Sequence, residues 1–224
     1  MNISGFIKTS FVDYPGEIAS VIFTQGCNLN CSYCHNAGLI GRGNGTGEVA
    51  TEEVFHWLSK RKGMIGAVVI SGGEPMLQRD INDFAKKLKS RGLRVKLDTN
   101  GTDPDALKSL IRHRLLDYIA MDLKAPLCKY VSICRTKDLN LALIKESVEI
   151  IKESGLQYEF RTTLCPELES EDVLSIISDF HIASNYVIQN CRSAEGVKYG
   201  SGTEKIGLLK QKLQKSLCCT YRGF

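Results

Sequence analysis

Ile18-Ala-Ser-Val-Ile-Phe-Thr24 and the following Gly26-Cys-Asn-Leu-Asn-Cys-Ser-Tyr-Cys-His-Asn36 are the stretch that decides the fold of this chain. The first part is rich in β-branched and aromatic residues and predicts a buried strand. The second part carries three cysteines with the spacing C-x3-C-x2-C, on a loop directly after that strand. Three thiols so close together are more than packing requires, so the loop is predicted to hold a metal centre.

The composition is that of an ordinary soluble globular protein, with 224 residues, 43% hydrophobic and 24% charged. The N-terminus lacks a signal-peptide pattern, and no apolar run is long enough to span a membrane. A net charge of +4 suits an acidic partner or a phosphate-bearing ligand but does not by itself indicate nucleic acid. Nine cysteines, an odd number at irregular spacing, favour a cytoplasmic protein with thiols used for metal over a disulfide framework.

Outward from the first strand, short apolar runs alternate with amphipathic helical patterns. Asp103 and Pro104 have the residue types of an N-cap and first helical residue, and a terminal helix is marked by the apolar stripe Ile206, Leu209, Leu213 and Leu217. Parallel neighbours require crossover connections, so this alternation predicts an α/β fold, an open or partial (β/α)6 barrel. The six predicted strands are Ile18–Thr24, Ala67–Ile70, Leu93–Leu97, Tyr118–Met121, Tyr158–Leu164 and Tyr186–Ile188.

The whole chain, residues 1–224, is expected to form a single domain, as α/β barrels of this length often do. Residues 1–17 are a lead-in that contains Asp13-Tyr-Pro-Gly16. The barrel occupies residues 18–190, and residues 191–224 are a C-terminal helix and tail.

Residues that could bind a ligand or take part in catalysis follow the predicted strands, where ligands bind in parallel α/β folds. After the cysteine loop come Gly72, Gly73 and Glu74, then Asp98 and Asn100, then Asp122 and Lys124. Arg161 and Gln189 add weaker signals on the fifth and sixth strands. We expect these side chains to share one edge of the sheet.

The cysteines could bind zinc or an iron–sulfur cluster. Structural zinc requires four ligands, usually from two separated pairs, and the adjacent Cys34 and His35 are poorly placed to meet one tetrahedral ion. Thiolates select iron–sulfur clusters, and three of them leave one iron of a [4Fe-4S] cluster open to a further ligand. The cluster is therefore the preferred interpretation.

Cys27-x3-Cys31-x2-Cys34, with Tyr33 before the third cysteine, resembles the signature of the radical S-adenosylmethionine (radical SAM) superfamily. Ser71-Gly-Gly-Glu-Pro75 is similar to a second segment of that family. The resemblance implies a partial barrel of the radical SAM type, with the cluster loop after the first predicted strand. It also implies a [4Fe-4S] cluster whose open iron binds S-adenosylmethionine. One electron from the cluster would then cleave that molecule to a 5′-deoxyadenosyl radical, which abstracts hydrogen.

Further motifs resemble the activating enzymes of glycyl radical enzymes, over about residues 3–190: Phe11-Val-Asp-Tyr-Pro-Gly16, Cys34-His-Asn36, Asp98-Thr-Asn-Gly101 and Asp122-Leu-Lys124. Together with Glu159-Phe-Arg-Thr-Thr163 they look most like the activating protein of anaerobic ribonucleoside-triphosphate reductase. Pyruvate formate-lyase activases usually have glycine in place of Tyr14. No cysteine lies between Cys34 and Cys128, so a ferredoxin-like insert is absent there. Implied partners are that reductase and a flavodoxin or ferredoxin-type electron donor, with no nucleic acid and no membrane.

The resemblance also implies roles for single residues. Cys27, Cys31 and Cys34 would ligate the cluster, and Tyr33 would pack near the adenine. Gly72, Gly73, Glu74, Asp98 and Asn100 would position the cofactor, chiefly its methionine amino group, and Lys124 and Arg161 would contact its carboxylate or ribose. Asp98, Thr99 and Asp122 are candidate ligands of a monovalent cation, and Asp13 is a candidate contact to the protein substrate.

Simpler interpretations remain open for several of these residues. Asp122 and Lys124 could form a plain salt bridge, Asp98-Thr-Asn-Gly101 a strand-ending turn, and Arg161 a structural pair. The rival functions are activation of another glycyl radical enzyme, a radical SAM reaction on a small molecule, and non-enzymatic iron–sulfur electron transfer. The sequence assigns no role to six cysteines: Cys128, Cys134, Cys165, Cys191, Cys218 and Cys219.

Overall fold

The computed structural model describes residues 1–41, 49–191, 201–213 and 219–223. Their strands form one eight-stranded sheet, in which the strands pair in chain order. The first strand, β1 (Ile3–Ser10), is antiparallel to β2 (Ala19–Thr24). Every later strand is parallel to the one before it: β3 (Ala67–Gly72), β4 (Arg94–Thr99), β5 (Tyr118–Asp122), β6 (Gln157–Leu164), β7 (Tyr186–Asn190) and β8 (Cys219–Arg222).

Helices connect the parallel strands. They are α1 (Thr51–Lys60), α2 (Ile81–Lys89), α3 (Pro104–Arg112), α4 (Leu127–Cys134), α5 (Leu141–Glu153), α6 (Ser170–Asp179) and α7 (Ser201–Leu213). In the described ranges, none of them combines the length and apolarity needed to cross a membrane.

The two faces of the sheet are packed differently. Ile22, Val68 and Ile70 belong to the large core that the sheet shares with the helices. The alternate residues Val21 and Val69 belong to a small cluster on the other face, as the period of two along a strand requires. This inner face carries few other apolar residues, so it has room for polar side chains near the carboxyl ends of the strands.

The six predicted strands correspond to β2–β7, which confirms the partial barrel. Across the described residues the pairing runs from β1 to β8 without closing. Three strands end later in the structure than the apolar runs predict. Gly72, Asp98 and Asp122 are the last or next-to-last residues of β3, β4 and β5 rather than residues after them. The backbone hydrogen bonds of these strands continue into the polar residues, so an apolar run alone predicts a strand end that is too early.

Two strands and one helix do not follow from the apolar patterns. β1 lies at one end of the sheet and mixes buried with exposed residues, so it lacks a clear alternation. β8 has only four residues and falls within the predicted tail. α4 is marked only by a short buried stripe of Tyr130, Ile133 and Cys134. The terminal helix is confirmed as far as Leu213; Leu217 and Cys218 lie outside the described residues.

Candidate active site

One pocket at the carboxyl edge of the sheet brings together nearly all residues that the sequence predicts for the site. Parallel pairing explains this, because β2–β6 all end at this edge. The predicted residues that line the pocket are Cys27, Cys31, Tyr33, Cys34, Gly72, Gly73, Glu74, Asp98, Thr99, Asn100, Asp122, Lys124, Arg161 and Gln189.

Asp13 lies apart from this pocket. It belongs to the loop between β1 and β2, at the edge of the sheet where β2 begins. Its carboxylate accepts a hydrogen bond from the hydroxyl of Ser10, and its own amide donates to that hydroxyl at 3.3 Å. Asp13 therefore stabilises its own turn, and its contact with a protein substrate stays a prediction.

The cysteine loop is anchored at both ends by backbone hydrogen bonds. The amide of Gly26 donates to the carbonyl of Leu39 at 2.7 Å. The amides of Asn30 and Ser32 donate to the carbonyls of Cys134 and Ile133, each at 3.0 Å. The loop is thus held against the C-terminal end of α4, an element that the sequence interpretation missed.

The three loop thiols have different surroundings. The thiol of Cys134 is hydrogen-bonded to Cys31, and this contact lowers the pKa of Cys31. Burial raises the pKa of Cys27 to about 11 and also raises that of Cys34. Thiolates are the metal-binding form, and the hydrogen bond from Cys134 favours the thiolate of Cys31.

This donor set fits an iron–sulfur cluster better than a single zinc ion. The three cysteines are half-buried and free, and they line one pocket. Among the described residues, no three Cys, His, Asp or Glu side chains are grouped as the ligands of a single ion. His35 lines the same pocket without completing such a group. Thiolates spread over one loop suit the separate irons of a cluster.

The two glycines at the end of β3, Gly72 and Gly73, are needed because their backbone packs against the base of the cysteine loop. Gly72 has a φ of +122°, and a Cβ there would lie 2.2 Å from the nitrogen of Thr24. A Cβ on Gly73 would lie 2.0 Å from the carbonyl oxygen of Gly26. The amide of Gly73 also donates to the carbonyl of Thr24 at 2.9 Å. Both glycines therefore allow a close approach to this loop, and their role in positioning the cofactor stays a prediction.

Glu74 joins this segment to the end of β4. Its side chain is buried and accepts hydrogen bonds from the hydroxyl of Thr99 and the amide of Asn100, both at 2.7 Å, and from the amide of Met76 at 3.2 Å. Burial raises the pKa of Glu74 to about 7, although these hydrogen bonds act in the opposite direction. Its role toward the cofactor's amino group stays a prediction.

A chain of ion pairs crosses the pocket, with Arg161 at its centre. Nε of Arg161 lies 2.8 Å from Asp122, and its Nη1 lies 3.1 Å from Asp98. Lys96 pairs with Asp98 at 2.6 Å, and Lys124 pairs with Asp122 at 2.8 Å. Burial would raise the pKa of both carboxyl groups, but Arg161 and the two lysines hold them below their usual range. Three cations against two carboxylates leave one positive charge, which suits a ligand carboxylate.

The candidate cation ligands already have partners in the protein. Asp98 and Asp122 are ion-paired as described, and the hydroxyl of Thr99 donates to Glu74 and accepts from the amide of Gly101 at 3.0 Å. A monovalent cation would have to displace some of these contacts. Its presence stays a prediction.

A second polar layer lies below Arg161 on the inner face. Arg222 of β8 makes two hydrogen bonds to Glu159, at 2.8 and 2.6 Å, and the hydroxyl of Tyr118 donates to the same carboxylate at 3.1 Å. Nη1 of Arg161 lies 4.0 Å from Glu159. The last described strand is therefore connected through Glu159 to the pocket.

Several residues of the site were missed by sequence reasoning. Ser71 and Thr163 line the pocket, and the hydroxyl of Tyr130 accepts from the amide of Lys124 at 3.2 Å. Lys96 could have been found, because it lies two residues before Asp98 and so shares its face of β4. No sequence pattern marked Tyr130 and Cys134 as site residues, because both lie on α4, which was not predicted.

The remaining cysteines do not form a second group of ligands in the described residues. Cys165 and Cys191 are fully buried near the ends of β6 and β7, as expected of small hydrophobic side chains. Cys128 is exposed on α4, and Cys219 begins β8.

Comparison with known proteins identifies the family. The model of the radical SAM superfamily matches residues 21–180. The protein MJ1227 of Methanocaldococcus jannaschii, assigned by its name to the glycyl-radical enzyme activating enzymes, is 34% identical over 195 residues, which cover 84% of this chain and 78% of that protein. A pyruvate formate-lyase-activating enzyme of Listeria monocytogenes is 31% identical over 192 residues, which cover 73% of this chain and 76% of that protein.

A solved structure shares the fold. Streptococcus suis SuiB bound to S-adenosylmethionine superposes with a TM-score of 0.67 over 91% of this chain, at 14% identity. The chain spans 50% of the length of SuiB. Family, relatives and fold agree: the chain belongs to the radical SAM superfamily, which uses a [4Fe-4S] cluster and S-adenosylmethionine, and within it to the glycyl-radical-enzyme activating enzymes.

Proposed function

We propose that this enzyme generates the glycyl radical of an anaerobic ribonucleoside-triphosphate reductase. The observation that carries the choice of partner is Tyr14. It stands where pyruvate formate-lyase activases usually have glycine, in a motif that otherwise resembles theirs.

Tyr14 fills the inner face of the sheet at the edge opposite the pocket. It is 1% exposed and packs with Val21, Ala67 and Val69, and its ring centre lies 5.7 Å from that of Tyr118. A glycine here would leave this space open. Tyr14 is therefore a core residue of the sheet, and its support for the choice of partner comes from the motif resemblance.

The residues of the pocket divide the work of binding. Cys27, Cys31 and Cys34 hold the cluster. When bound, the cluster supplies the electron that cleaves S-adenosylmethionine and so provides the 5′-deoxyadenosyl radical that abstracts hydrogen from glycine. Lys124 and Arg161 attract the carboxylate of S-adenosylmethionine, since the ion-pair chain has a surplus positive charge.

The remaining roles belong to the same proposal. Tyr33 packs against the adenine, and Asp98 and Asn100 orient the amino group of the cofactor. A flavodoxin or ferredoxin-type protein supplies the electron in the cytoplasm. The chain acts as one domain, which is supported by β1 of the lead-in and β8 of the tail, because both join the sheet of the barrel.

A second candidate target is pyruvate formate-lyase. The Listeria monocytogenes relative, which is named for this activity, favours it. The two targets differ in which protein receives the radical, while the chemistry in the pocket is the same. Only an assay that offers both proteins separates them.

The test is an anaerobic assay of the reconstituted and reduced enzyme with either candidate target. We expect 5′-deoxyadenosine to be formed, and a glycyl radical signal in electron paramagnetic resonance (EPR) on the reductase but not on pyruvate formate-lyase. The reverse pattern of radical signals would overturn the choice of partner.

Two cysteine variants, Cys31→Ala and Cys128→Ala, serve as controls for this assay. Cys31→Ala should lose the cluster, the cleavage of S-adenosylmethionine and the radical, because two thiolates hold a cluster poorly. Cys128→Ala, which removes an exposed thiol outside the pocket, should keep all three. Retained cleavage in Cys31→Ala would show that the cluster is bound elsewhere.

A further inference from the structure

The end of α4 offers carbonyl groups to the cysteine loop. Arg135 follows the helix in the left-handed conformation, with a φ of +48°. The last carbonyls of a helix lack partners within it. Here those of Ile133 and Cys134 accept the amides of Ser32 and Asn30, each at 3.0 Å.

These two hydrogen bonds bring the backbone on either side of Cys31 against the end of α4, where Cys134 lies. Asn30 and Ser32, on either side of Cys31, are both tied to the helix end, so the residue between them has little freedom. Their amides point to the carbonyls of the helix and do not serve the sulfur of Cys31. The thiol of Cys134 is fully buried and is hydrogen-bonded to that sulfur.

The other two loop sulfurs receive hydrogen bonds of a different kind. Sγ of Cys27 accepts from the amide of Leu29 at 3.4 Å and lies 3.9 Å from Nδ2 of Asn100. The sulfur of Cys34 accepts a hydrogen bond from the backbone amide of Asn36. Backbone amides thus donate to all three sulfurs, since Cys31 also accepts from its own amide, and the sulfur of Cys31 has in addition a hydrogen bond from a buried side-chain thiol.

We propose that Cys134 is a positioning residue for the cluster, which holds Cys31 in place and donates its S–H to the sulfur of Cys31. Hydrogen bonds to cluster sulfurs are one of the factors that set the reduction potential of an iron–sulfur cluster. Reduction adds negative charge that is shared by the thiolate sulfurs, and a donor stabilises it. Cys134 therefore makes the cluster easier to reduce.

This role rests on the cluster that the family uses and is independent of the partner protein. If the proposed reductase proves to be the wrong target, the contact between Cys134 and Cys31 is unaffected. Conversely, failure of the test below leaves the choice of partner untouched.

The test compares three variants at position 134 in the reconstituted enzyme, without any glycyl radical enzyme. Cys134→Ala removes the donor, Cys134→Val removes it while filling the space, and Cys134→Ser keeps a donor of similar shape. The reduction potential is measured by a spectroscopic redox titration, and the reduced cluster by EPR. We expect a more negative potential and an altered EPR signal in the Ala and Val variants, with the Ser variant close to the wild type.

Ile133→Val is the matched control, because it trims the neighbouring buried side chain and keeps the thiol. It should leave the potential unchanged. Equal potentials in the wild type and in the Ala and Val variants would overturn the proposal, as would an equal shift in all three variants at position 134. Iron content is measured first. Loss of the cluster in Ala and Val but not in Ser would support the same contact, whereas loss in all three would contradict it.

Discussion

Glu74 connects two strand ends through one buried carboxylate, and its three hydrogen bonds explain why this residue type stands there. Both oxygens are used, and the donors come from its own turn and from the end of β4. A shorter acid could not reach Thr99 and Asn100 together. The side chain therefore stabilises the geometry of the pocket in addition to any contact with the cofactor.

The raised pKa of Glu74 predicts a pH-dependent stability. Because the folded protein binds this proton more tightly than the unfolded chain, the contribution of Glu74 is complete below pH 4.5 and is lost as the pH rises through about 7. That contribution amounts to about 3 kcal/mol of unfolding free energy. Urea unfolding of the cofactor-free protein between pH 5 and 8 should show the decrease, and Glu74→Gln should remove it. The exposed Glu53→Gln should keep the wild-type slope, and an unchanged slope in Glu74→Gln would refute the assignment.

A side chain at position 73 is predicted to clash with the cysteine loop. In Gly73→Ala the new Cβ meets the carbonyl of Gly26, so the cysteine loop has to move. We expect a loss of about 2 kcal/mol or more in unfolding free energy and a lower iron content after reconstitution. Gly38→Ala, where a Cβ meets nothing within 4 Å, is the control. Equal stability of the two variants would contradict this geometry.

At the scale of elements, the start of α3 fixes the path of the chain after the end of β4, which lines the pocket. α3 follows β4 closely, and its N-cap is Asp103, whose Oδ1 accepts from the amide of Ala106 at 2.9 Å. This confirms the cap that the pair Asp103 and Pro104 predicts. The cap determines where the chain leaves the turn of Asn100 and Gly101.

Removal of this cap should weaken the element in a measurable way. Asp103→Ala leaves an amide of the first turn without its partner, at a cost of about 1 kcal/mol in unfolding free energy. Asp105→Ala changes a side chain that is 94% exposed in the same turn and should change stability much less. Chemical denaturation of both variants makes the comparison, and equal losses would rule out a specific role of the cap.

At the scale of the whole molecule, Arg161 links three strands through charge. It lies on β6 and pairs with Asp98 of β4 and Asp122 of β5, so it crosses the inner face of the sheet. The pair with Lys124 extends this chain along the pocket wall, and the pair with the buried Lys96 extends it back along β4. An open sheet has no closing strand pair, and these contacts help to hold its curved inner face together.

Arg161→Met should therefore affect both stability and binding. It leaves two half-buried carboxylates with one cation each, for which we expect a loss of about 2 kcal/mol in unfolding free energy. The affinity for S-adenosylmethionine should fall as well, because the surplus positive charge is gone; calorimetric titration of the reconstituted enzyme measures it. Lys108→Met, which breaks an exposed pair with Glu146, is the control and should preserve both properties. Wild-type affinity in Arg161→Met would remove Arg161 from the binding site.

The parallel arrangement of β2–β7, the cysteine loop and the family could all be predicted from the sequence, because local patterns indicate them. Apolar runs and helical stripes report which residues are buried within one element. Closely spaced cysteines report a metal loop without any knowledge of the fold. Since parallel strands end at one edge, the clustering of Gly72, Asp98, Asp122 and Arg161 could also be predicted before the structure was known.

The partners of these residues follow from the tertiary structure alone, because partners far apart in the chain leave no periodic signal. Asp13 lies at the opposite edge since β1 is antiparallel to β2. Arg222 reaches Glu159 only because β8 joins the sheet. Cys134, a cysteine without an assigned role in the sequence, lies against Cys31 because α4 ends where the cysteine loop needs two carbonyl groups.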